Sequence, residues 1–481
     1  MLRDSSLGNG GQSMCGVVGV FGVENAYDVT LDMMETLQPR GHQSSGIVLV
    51  GENSVLYERE LGNVSDLLYK LRGVPTPENT RVGLGHVRYG TAGSRDSLEN
   101  AQPFYAMKSD WEIYCGHNGD TPYHKEIRQS LMEQGSTFTT TSDTECILKY
   151  VGMSRAQDPI TAIKEGLCAY RGTYAIAMLI RVHDEWMLVA ARDHYDNRPL
   201  FLGKIGEGWL IASEDVAFET VDGITIREIH PGELLVISKN GLASHTIPLR
   251  RDEIPKPYRC VFELAIYFSF PNSHPFGLEA GLAREELGRI MARKMGHLIR
   301  EEDVLTGVPD SANAFLDGFS EELMKFPKRA VIRKHSYRSF TQANRVRRER
   351  TVRKKFSFSP RKVRGKRVWV LDDSLVRGHT ARKVVRALRK HGAIWVGVIS
   401  SAPPIIGPCR KGIDFDEGLV ATAHLTQGVP DIEKIREEIE ADCLIYAELE
   451  DLRTALRACN SDPRAYCYGC FEGRDPVFNA W

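Results

Sequence analysis

The sequence has few cysteines and no long apolar run. Ten cysteines among 481 residues are too few for a disulfide-stapled scaffold, so we expect a reducing compartment, namely the cytoplasm. No stretch of 18 apolar residues is present, which argues against a membrane-spanning helix. The formal net charge of −1 excludes a uniformly basic nucleic-acid-binding protein, and residues 1–14 lack the apolar core of a secretory signal.

The near-neutral total conceals two segments of opposite charge. The basic segment, Lys328–Arg367, has 17 Lys or Arg and one acid, whereas the acidic segment, Lys411–Arg453, has 12 acids and 4 bases. A basic segment is typical either of a solvated or nucleic-acid-binding surface or of a site for a small polyphosphate, because Arg and Lys suit phosphate oxygens. Composition alone leaves both interpretations open.

The pattern of apolar residues changes near residue 250. Before it, short β-like runs such as Gly16–Gly22 and Tyr174–Ile180 alternate with helical patterns such as Val29–Leu37, which predicts a layered α+β domain. Prolines in Ile247–Pro257 indicate a boundary. After it, strand–loop units alternate with helices such as Leu282–Ile299, which predicts a parallel α/β sheet. The strand–loop units are Asp303–Ser311, Ala330–His335, Arg367–Ser374 and Ile394–Pro404.

A strand, two acids and a glycine-containing loop precede a helix in Val368–Thr380. The N–H groups at the start of a helix suit a phosphate, and acids at the carboxyl end of a parallel strand lie where such sheets bind ligands. The run resembles the phosphate motif of type I phosphoribosyltransferases. The resemblance implies that Asp372 and Asp373 hold the ribose hydroxyls of 5-phosphoribosyl 1-diphosphate (PRPP) and a Mg²⁺ ion. The implied phosphate contacts are Ser374, Arg377, Gly378, His379 and Thr380.

Two further segments resemble parts of the same family. Val308–Ser311 resembles the loop that faces the diphosphate and the metal, with Ser311 as the contact. Within the basic segment, Arg338 and Lys355 match best the loop that closes over the diphosphate, where cations would stabilise the leaving pyrophosphate. This resemblance favours the polyphosphate interpretation of the basic segment.

Five segments of the first half resemble the class II glutamine amidotransferases, whose nucleophile is an N-terminal cysteine. They are Met14–Gly19, Arg40–Ile47, Gly85–Gly93, Cys115–Asp120 and Thr141–Glu145. The resemblance implies Cys15 as the nucleophile and Asn118 with the Gly119 N–H as the oxyanion hole. The implied glutamine contacts are Arg88 at the α-carboxylate, Thr91, and Asp143 at the α-ammonium. The implied fold is the αββα sandwich of the N-terminal nucleophile (Ntn) hydrolases.

Cys15 is internal in the sequence as written. In the family, the α-amino group of this cysteine acts as the base, because its pKa lies near neutrality, at roughly 7.7–8.0. We therefore expect a mature chain that begins at Cys15. Residues 1–14 would be removed as a leader or propeptide, or translation would start at Met14 and that Met would be trimmed.

Cys467 and Cys470 form a C-x-x-C pair near the end of the chain. Alone, the pair could be redox-active, half of a zinc site or incidental. Some amidotransferases that join these two halves bind a [4Fe–4S] cluster through four cysteines, and Cys260, Cys409, Cys467 and Cys470 match those places. The resemblance therefore implies a structural cluster in addition to Mg²⁺.

The two halves in this order resemble the glutamine phosphoribosylpyrophosphate amidotransferase family. That family implies conversion of glutamine, PRPP and water to 5-phosphoribosylamine, glutamate and pyrophosphate in purine biosynthesis. It also implies a homotetramer or homodimer and purine-nucleotide effectors, with no nucleic-acid or membrane partner. The implied division is a leader at 1–14, a glutamine amidotransferase domain at 15–250, a phosphoribosyltransferase domain at 258–455 and a C-terminal tail at 456–481.

Two alternatives differ in function. Phe270, Asn272, Ala312 and His379 depart from the family pattern, which leaves open a diverged paralogue with a different acceptor or weak transferase activity in a specialised pathway. A non-enzymatic regulator that senses PRPP or nucleotides would use its basic segment on nucleic acid. Such a regulator would not need the glutaminase residues.

Overall fold

The N-terminal half, residues 14–250, contains two antiparallel sheets. The computed structural model describes residues 14–90, 97–108, 110–250, 256–334, 356–409, 411–413 and 418–475. The strands of this half are β1 (Gly16–Phe21), β2 (Ser44–Val50), β3 (Val55–Leu61), β4 (Val82–Arg88), β5 (Phe104–Lys108), β6 (Trp111–Asp120), β7 (Thr173–Val182), β8 (Glu185–Arg192), β9 (Phe201–Ile205), β10 (Gly208–Ala212), β11 (Ile224–Glu228), β12 (Glu233–Ser238) and β13 (Gly241–Thr246). The first sheet has the order β11-β9-β10-β1-β4-β2-β3, and the second has the order β13-β12-β8-β7-β6-β5.

The two sheets pack face to face, and helices cover their outer faces. Val48 and Leu84 of the first sheet share one buried cluster with Ala177 and Leu235 of the second. The helices of this half are α1 (Ala26–Thr36), α2 (Val64–Leu71), α3 (His124–Glu133), α4 (Thr144–Met153), α5 (Pro159–Ala169) and α6 (Val216–Glu219). Buried residues of α1 and α2 pack on the first sheet, and those of α4 and α5 pack on the second. The predicted αββα sandwich is confirmed.

A parallel four-stranded sheet organises the C-terminal half, residues 256–475. The strands of this half are β14 (Arg259–Cys260), β15 (Val304–Gly307), β16 (Val331–Arg333), β17 (Phe356–Phe358), β18 (Arg367–Asp372), β19 (Trp395–Ser400), β20 (Leu425–Thr426), β21 (Val429–Pro430), β22 (Cys443–Tyr446) and β23 (Tyr466–Cys467). The sheet has the order β15-β18-β19-β22. A parallel sheet is buried on both faces. The side chains of Val370 and Leu371, which are successive residues of β18, therefore pack in two different hydrophobic cores.

Helices lie on both faces of the parallel sheet. They are α7 (Ala280–Met295), α8 (Asn313–Glu322), α9 (Pro360–Val363), α10 (His379–Lys390), α11 (Val420–Ala423), α12 (Ile432–Glu438), α13 (Leu449–Ala458) and α14 (Gly469–Glu472). Buried residues of α7, α8 and α13 form one core with the sheet, and those of α10 and α12 form the other. The predicted α/β domain is confirmed. Short 3₁₀ or π turns lie at Gln38–Arg40, Leu98–Asn100, Phe262–Ile266, Pro275–Gly277, Gly296–Leu298 and Pro463–Ala465.

One predicted strand pairs differently from the expectation. The run Ala330–His335 contributes β16, which pairs antiparallel with β17 instead of joining the parallel sheet. The Thr306 hydroxyl of β15 accepts the Ala330 and Val331 N–H groups at 2.9 and 3.2 Å, so a side chain replaces the usual ladder bond. In the described ranges, no helix is both long and apolar enough to cross a bilayer.

Candidate active sites

The predicted nucleophile Cys15 lies at the start of the central strand of the first sheet. The register of β1 with β4 places Cys15 beside Arg88. The half-buried Cys15 Sγ donates to Tyr89 O at 3.5 Å, and Arg40 Nε donates to Cys15 O at 3.0 Å. Burial raises the pKa of the Cys15 thiol, while the Tyr89 hydrogen bond and the Arg88 charge lower it. The thiol therefore needs a neighbouring base to form a thiolate near neutral pH.

The predicted oxyanion residues, Asn118 and Gly119, lie near the end of β6 in the second sheet. Two residues earlier, Gly116 lies close to Val17 of β1, since an added Cβ would be 3.4 Å from Val17 Cγ1. Asn118 is 2% exposed, and within the described ranges its Nδ2 has no hydrogen-bond partner. A buried donor without a hydrogen-bond partner destabilises the folded protein, and a ligand oxygen that accepts this hydrogen bond would remove the destabilisation. At Gly119 an added Cβ would lie 2.0 Å from Thr173 O, so only glycine fits.

A buried hydrogen-bond network fixes this end of β6. His117 N donates to Gln102 Oε1 at 2.8 Å, and Gln102 Nε2 donates to Thr144 Oγ1 at 3.1 Å. The His117 ring lies 3.0 Å from Thr144 Oγ1 and 3.1 Å from Thr173 O. Burial lowers the pKa of His117, which keeps the ring neutral. Because Thr144 follows Asp143, the network fixes the oxyanion residues relative to a predicted glutamine contact.

Two of the predicted glutamine contacts, Arg88 and Asp143, are buried, at 2% and 6% exposure. The charge of each acts on the Cys15 thiol, so both lie near it. Asp143 Oδ2 accepts from Thr121 N at 3.1 Å and from Thr121 Oγ1 at 3.2 Å. The third predicted contact, Thr91, lies outside the described residues.

In the C-terminal half, two predicted segments meet at the carboxyl end of β18. Ser311 Oγ donates to Asp373 Oδ1 at 2.6 Å, and Ser374 Oγ donates to Asp373 Oδ2 at 3.0 Å. Asp372 is buried, and its Oδ1 accepts from Asp373 N at 3.0 Å. The Asp373 carboxylate therefore contacts the loop Val308–Ser311 at the sheet edge where α/β proteins bind ligands.

The loop after these acids leads directly into α10. Gly378 has a φ of +67°, a left-handed conformation that favours glycine, and an added Cβ would lie 3.2 Å from Ile439 Cγ2. His379 and Thr380 form the first turn of α10, where backbone N–H groups lack partners within the helix. Arg377 packs beside Gly418. The arrangement matches a phosphate cradle at a helix N-terminus.

The basic segment is only partly described, and its predicted diphosphate contacts, Arg338 and Lys355, lie outside the described residues. The acidic segment forms ion pairs with arginines of α10. Its described ion pairs with that helix are Arg382–Glu438, Arg386–Glu440 and Arg389–Asp442. These pairs are largely solvent-exposed, so each contributes little to stability.

Four cysteines from three separate segments line one small cavity of about 20 Å³. They are Cys260, Cys409, Cys467 and Cys470. The parallel pair β14–β23 sets Cys260 opposite Cys467, and the segment before Cys409 donates two backbone N–H groups to Cys470 O. Among the described residues, no three or more His, Cys, Asp or Glu side chains are arranged so that they could hold a metal ion.

Comparisons with known proteins match both halves. A glutamine amidotransferase domain family matches residues 73–245, and a phosphoribosyl transferase domain family matches residues 279–412. The amidophosphoribosyltransferase of Bacillus subtilis is 34% identical over 96% of this chain and 94% of the relative. The relative of the same name from Archaeoglobus fulgidus is 32% identical over 96% and 98%. The chain belongs to the amidophosphoribosyltransferase family.

Solved structures agree with this family. The B. subtilis glutamine PRPP amidotransferase, complexed with ADP and GMP, has a TM-score of 0.81 and 32% identity, over 97% of this chain and 98% of that one. A structure described as the allosteric regulatory enzyme of purine biosynthesis has a TM-score of 0.83 and 32% identity, over 97% of each chain. The likeness therefore extends across both halves and their connection.

The amidophosphoribosyltransferase family defines the reaction. The chain is an enzyme that transfers nitrogen from glutamine to PRPP, which yields 5-phosphoribosylamine, glutamate and pyrophosphate. This is a glycosyl transfer in purine biosynthesis. The predicted function and enzyme class are confirmed, and the regulator without enzyme activity is not supported.

Sequence reasoning gave no role to several residues between the two sites. Tyr267 lies between them: burial raises the pKa of Tyr267, and the charges of Asp373 and Tyr89 raise it further. Arg40 and Glu263 form a fully buried ion pair at 2.8 Å. Glu263 stands among apolar neighbours in the sequence, and a charged residue in such a run indicates a buried partner.

Proposed function

We propose that the family reaction runs at two coupled sites, with Cys15 hydrolysing glutamine and PRPP bound at Asp372 and Asp373. The released ammonia attacks C1 of PRPP, and pyrophosphate leaves. The observation that carries the proposal is the buried Asn118 amide. It lies near the end of the strand that packs on β1, and it lacks an acceptor within the described ranges. An oxyanion formed by attack of Cys15 supplies that acceptor.

Removal of residues 1–14 gives Cys15 the base that its buried thiol needs. The freed α-amino group takes the thiol proton, and the thiolate attacks the side-chain amide of glutamine. Asn118 Nδ2 and the Gly119 N–H hold the developing oxyanion. Ammonia leaves with a proton returned by the α-amino group, and water then releases glutamate from Cys15.

Substrate orientation at Cys15 depends on two opposite charges. Arg88 pairs with the α-carboxylate of glutamine, and Asp143 pairs with its α-ammonium, with Thr91 as a further contact. Both charged groups are nearly inaccessible to water, where an ionic partner is worth more than at the surface. Together they select an α-amino acid and direct its side chain to the thiol.

The transferase site needs no protein nucleophile. Asp372 and Asp373 bind the ribose hydroxyls, and Ser374, Arg377, Gly378, His379 and Thr380 bind the 5-phosphate. Arg338 and Lys355 neutralise the leaving pyrophosphate. The site therefore positions the electrophile and excludes water, which would otherwise compete with ammonia.

The oxygen atoms at the end of β18 suit Mg²⁺. Asp372, Asp373 and Ser311 offer carboxylate and hydroxyl oxygens within one hydrogen-bonded group. Mg²⁺ prefers such oxygen ligands together with substrate phosphates, and when bound it neutralises diphosphate charge. The ion binds with PRPP at these residues.

The four cavity cysteines hold a [4Fe–4S] cluster, for which four thiolates are the required ligands. Support comes from the backbone pairing that gathers Cys260, Cys409, Cys467 and Cys470 around one cavity. Ligation of iron would require the four thiols to rearrange, because the described residues as they stand contain no group that could hold a metal ion. When bound, the cluster ties the C-terminal tail to both the start and the middle of the C-terminal half.

We infer the regulation and the oligomeric assembly of this chain from its relatives. Purine nucleotides act as effectors, since the B. subtilis relative was solved with ADP and GMP. The chain forms a homotetramer or homodimer in the cytoplasm, although some relatives are chloroplastic by name. We divide the chain into a leader at 1–14, a glutamine amidotransferase domain at 15–250, a phosphoribosyltransferase domain at 258–455 and a C-terminal tail at 456–481. The separate sheets of the two halves support this division.

Steady-state assays with either nitrogen source test the two sites separately. Cys15→Ala should abolish glutamine-dependent formation of 5-phosphoribosylamine and leave ammonia-dependent formation intact, because only the first requires the thiol. Asp372→Asn should abolish both, because it weakens sugar binding. Glutamine-dependent turnover by Cys15→Ala would refute the role of Cys15, and an active preparation that retains Met1 would refute the requirement for a free Cys15 amine.

Optical spectroscopy and iron analysis test the cluster. Anaerobically purified protein should show a broad absorbance band near about 400 nm and close to four iron atoms per chain. Cys467→Ser should lose both signals, whereas Cys459→Ser, a half-buried cysteine in the same region, should keep them. Iron-free, colourless wild-type protein would rule the cluster out.

A further inference from the structure

A buried network of four charges lies where the two halves meet. Arg40 and Glu214 from the N-terminal half pair at 2.5 Å, and Arg40 also pairs with Glu263 from the C-terminal half at 2.8 Å. Arg198 approaches Glu263 at 3.6 Å. All four side chains are at most 2% exposed. The network therefore contains two cations and two anions with no access to bulk water.

Arg40 connects this network directly to the predicted nucleophile. Its Nε donates to the carbonyl oxygen of Cys15 at 3.0 Å, while its two terminal nitrogens are held by carboxylates. A guanidinium is planar, so fixing Nη1 and Nη2 also fixes the direction of the Nε–H bond. The backbone of Cys15 is thus held by a side chain whose orientation depends on Glu263.

Glu263 is itself held rigidly by the C-terminal half. Ser269 Oγ donates to Glu263 Oε2 at 3.1 Å. The buried Arg284 of α7 donates to Glu263 O and Ser269 O at 3.1 and 2.9 Å. These bonds clamp the π turn Phe262–Ile266 against α7. The C-terminal half therefore fixes the backbone of Glu263 and, through Ser269, one oxygen of its carboxylate, while Arg40 of the N-terminal half binds both carboxylate oxygens.

Stability alone does not account for such a network. Replacement of a buried ion cluster by well-packed apolar residues is often neutral or stabilising, because desolvation offsets the attraction between the charges. A buried ionic network is better suited to fixing one geometry. Here the geometry that it fixes is that of Cys15.

We propose that Glu263 is a positioning residue for the glutaminase reaction, supplied by the transferase half and acting on Cys15 through Arg40. The proposal rests on Cys15 being the glutaminase nucleophile. It deepens that role, because the glutaminase site is then incomplete without the C-terminal half. Glu263 itself touches neither glutamine nor PRPP in this role.

The test is Glu263→Gln in the full-length, correctly trimmed chain. The amide keeps the shape and removes the charge that orients Arg40. Glutamine-dependent kcat should fall by about 10- to 100-fold, the range expected for a small misplacement of a reacting group, with little change in KM for glutamine. Ammonia-dependent turnover should stay within about twofold of wild type, since it does not require Cys15.

The reactivity of the Cys15 thiol distinguishes a positioning role of Glu263 from general damage to the fold. The rate at which an electrophilic diazoketone analogue of glutamine alkylates Cys15 should fall with kcat in Glu263→Gln. Asp303→Asn is the matched control, because Asp303 is also a buried acid of the C-terminal half, paired with Arg367 at 3.1 Å away from the network. That variant should alkylate at the wild-type rate.

Ser269→Ala provides a milder second variant should Glu263→Gln fail to fold. It removes only the hydroxyl that donates to Glu263. It should lower the alkylation rate and glutamine-dependent kcat by about two- to fivefold, since the Glu263 carboxylate loses one hydrogen bond and keeps those from Arg40. Wild-type alkylation rates in both variants would overturn the proposal. Wild-type protein that uses ammonia but not glutamine would instead refute the glutaminase role of Cys15.

Discussion

In the proposed mechanism, the glutaminase reaction depends on the single side chain of Asn118. Asn118→Asp keeps its shape and replaces the buried amide donor by a carboxylate, which would repel an oxyanion. We expect glutamine-dependent kcat to fall by about 10²–10³-fold, the usual cost of losing one oxyanion-hole donor. Steady-state kinetics with glutamine measure this effect.

The ammonia-dependent reaction is the internal control for Asn118→Asp. It proceeds at the transferase site and should keep its wild-type rate. A loss of the same size with ammonia would show that the substitution damages the fold, and an unchanged rate with glutamine would exclude Asn118 from the oxyanion hole.

Chemical type made some site residues predictable and left others unassigned. Cys15 and Asp372 were assigned because the motifs around them, Met14–Gly19 and Val368–Thr380, resemble those of known families. Arg40 and Glu263 are 223 residues apart, and nothing in their local sequence indicates that they pair. Their relation depends on the packing of the two halves, which residue type does not encode.

The turn into α10 is an element whose geometry requires glycine. Gly378→Ala places a Cβ in a left-handed conformation, which costs about 1–3 kcal/mol. We expect weaker PRPP binding, measured by calorimetry, because the substitution shifts the start of α10, which we propose binds the 5-phosphate.

Gly392 is the matched control at the other end of the same helix. It also has a positive φ, of +98°, but it follows the helix C-terminus. Gly392→Ala should lower the free energy of unfolding by a similar amount and leave the Kd for PRPP unchanged. An equal loss of PRPP affinity in both variants would mean that the loop at Gly378 has no specific contact with the substrate.

Glu233 joins the two sheets of the sandwich. Glu233 in β12 forms a bidentate pair with Arg227 of β11 at 2.7 and 2.8 Å and accepts from Ser244 Oγ at 2.7 Å. Burial alone would raise the pKa of Glu233, but these hydrogen bonds lower it to about 2. We expect Glu233→Gln to reduce the free energy of unfolding by about 1–3 kcal/mol at pH 7.

The pH dependence of this effect has a definite sign. Because the folded-state pKa of Glu233 lies below its ordinary value, the carboxylate stabilises the fold above about pH 4.5 and loses that contribution as the pH falls toward 2. Urea unfolding from pH 7 to 3 should therefore show the wild type converging on Glu233→Gln. Glu185→Gln, at an exposed pair with Lys239, should differ from wild type by less than about 0.5 kcal/mol throughout.

At the scale of the whole molecule, the cysteine cavity connects distant parts of the chain. We expect Cys467→Ser to lower the unfolding temperature of the C-terminal half, by about 2–4 °C for each kcal/mol of stabilisation that the metal site loses, because ligand binding to the folded state stabilises it. Differential scanning calorimetry on anaerobic protein measures the shift. Cys459→Ser should unfold near the wild-type temperature, and equal shifts in both variants would argue against a metal contribution.

Local sequence patterns were sufficient for both fold classes. Short β-branched strands predicted the layered first half, and the alternation of strands and helices predicted the parallel sheet that contains Arg367–Asp372. The run Ala330–His335 is the instructive exception. Its residues favour a strand, but the hydroxyl of Thr306 receives its N–H groups, and no pattern within the run encodes that neighbour.

The sequence by itself determined the residue chemistry: the thiol of Cys15, the acids of Asp372 and Asp373, and Gly378 at the end of the proposed phosphate loop. These features are local, since each depends on the order of a few neighbouring residues. The tertiary structure decided that the buried Asn118 donor lacks an acceptor within the described ranges, that four cysteines share one cavity, and that Glu263 reaches Cys15 through Arg40. Such relations arise only when packing excludes water and brings residues hundreds of positions apart into contact, where charges and hydrogen bonds are strongest.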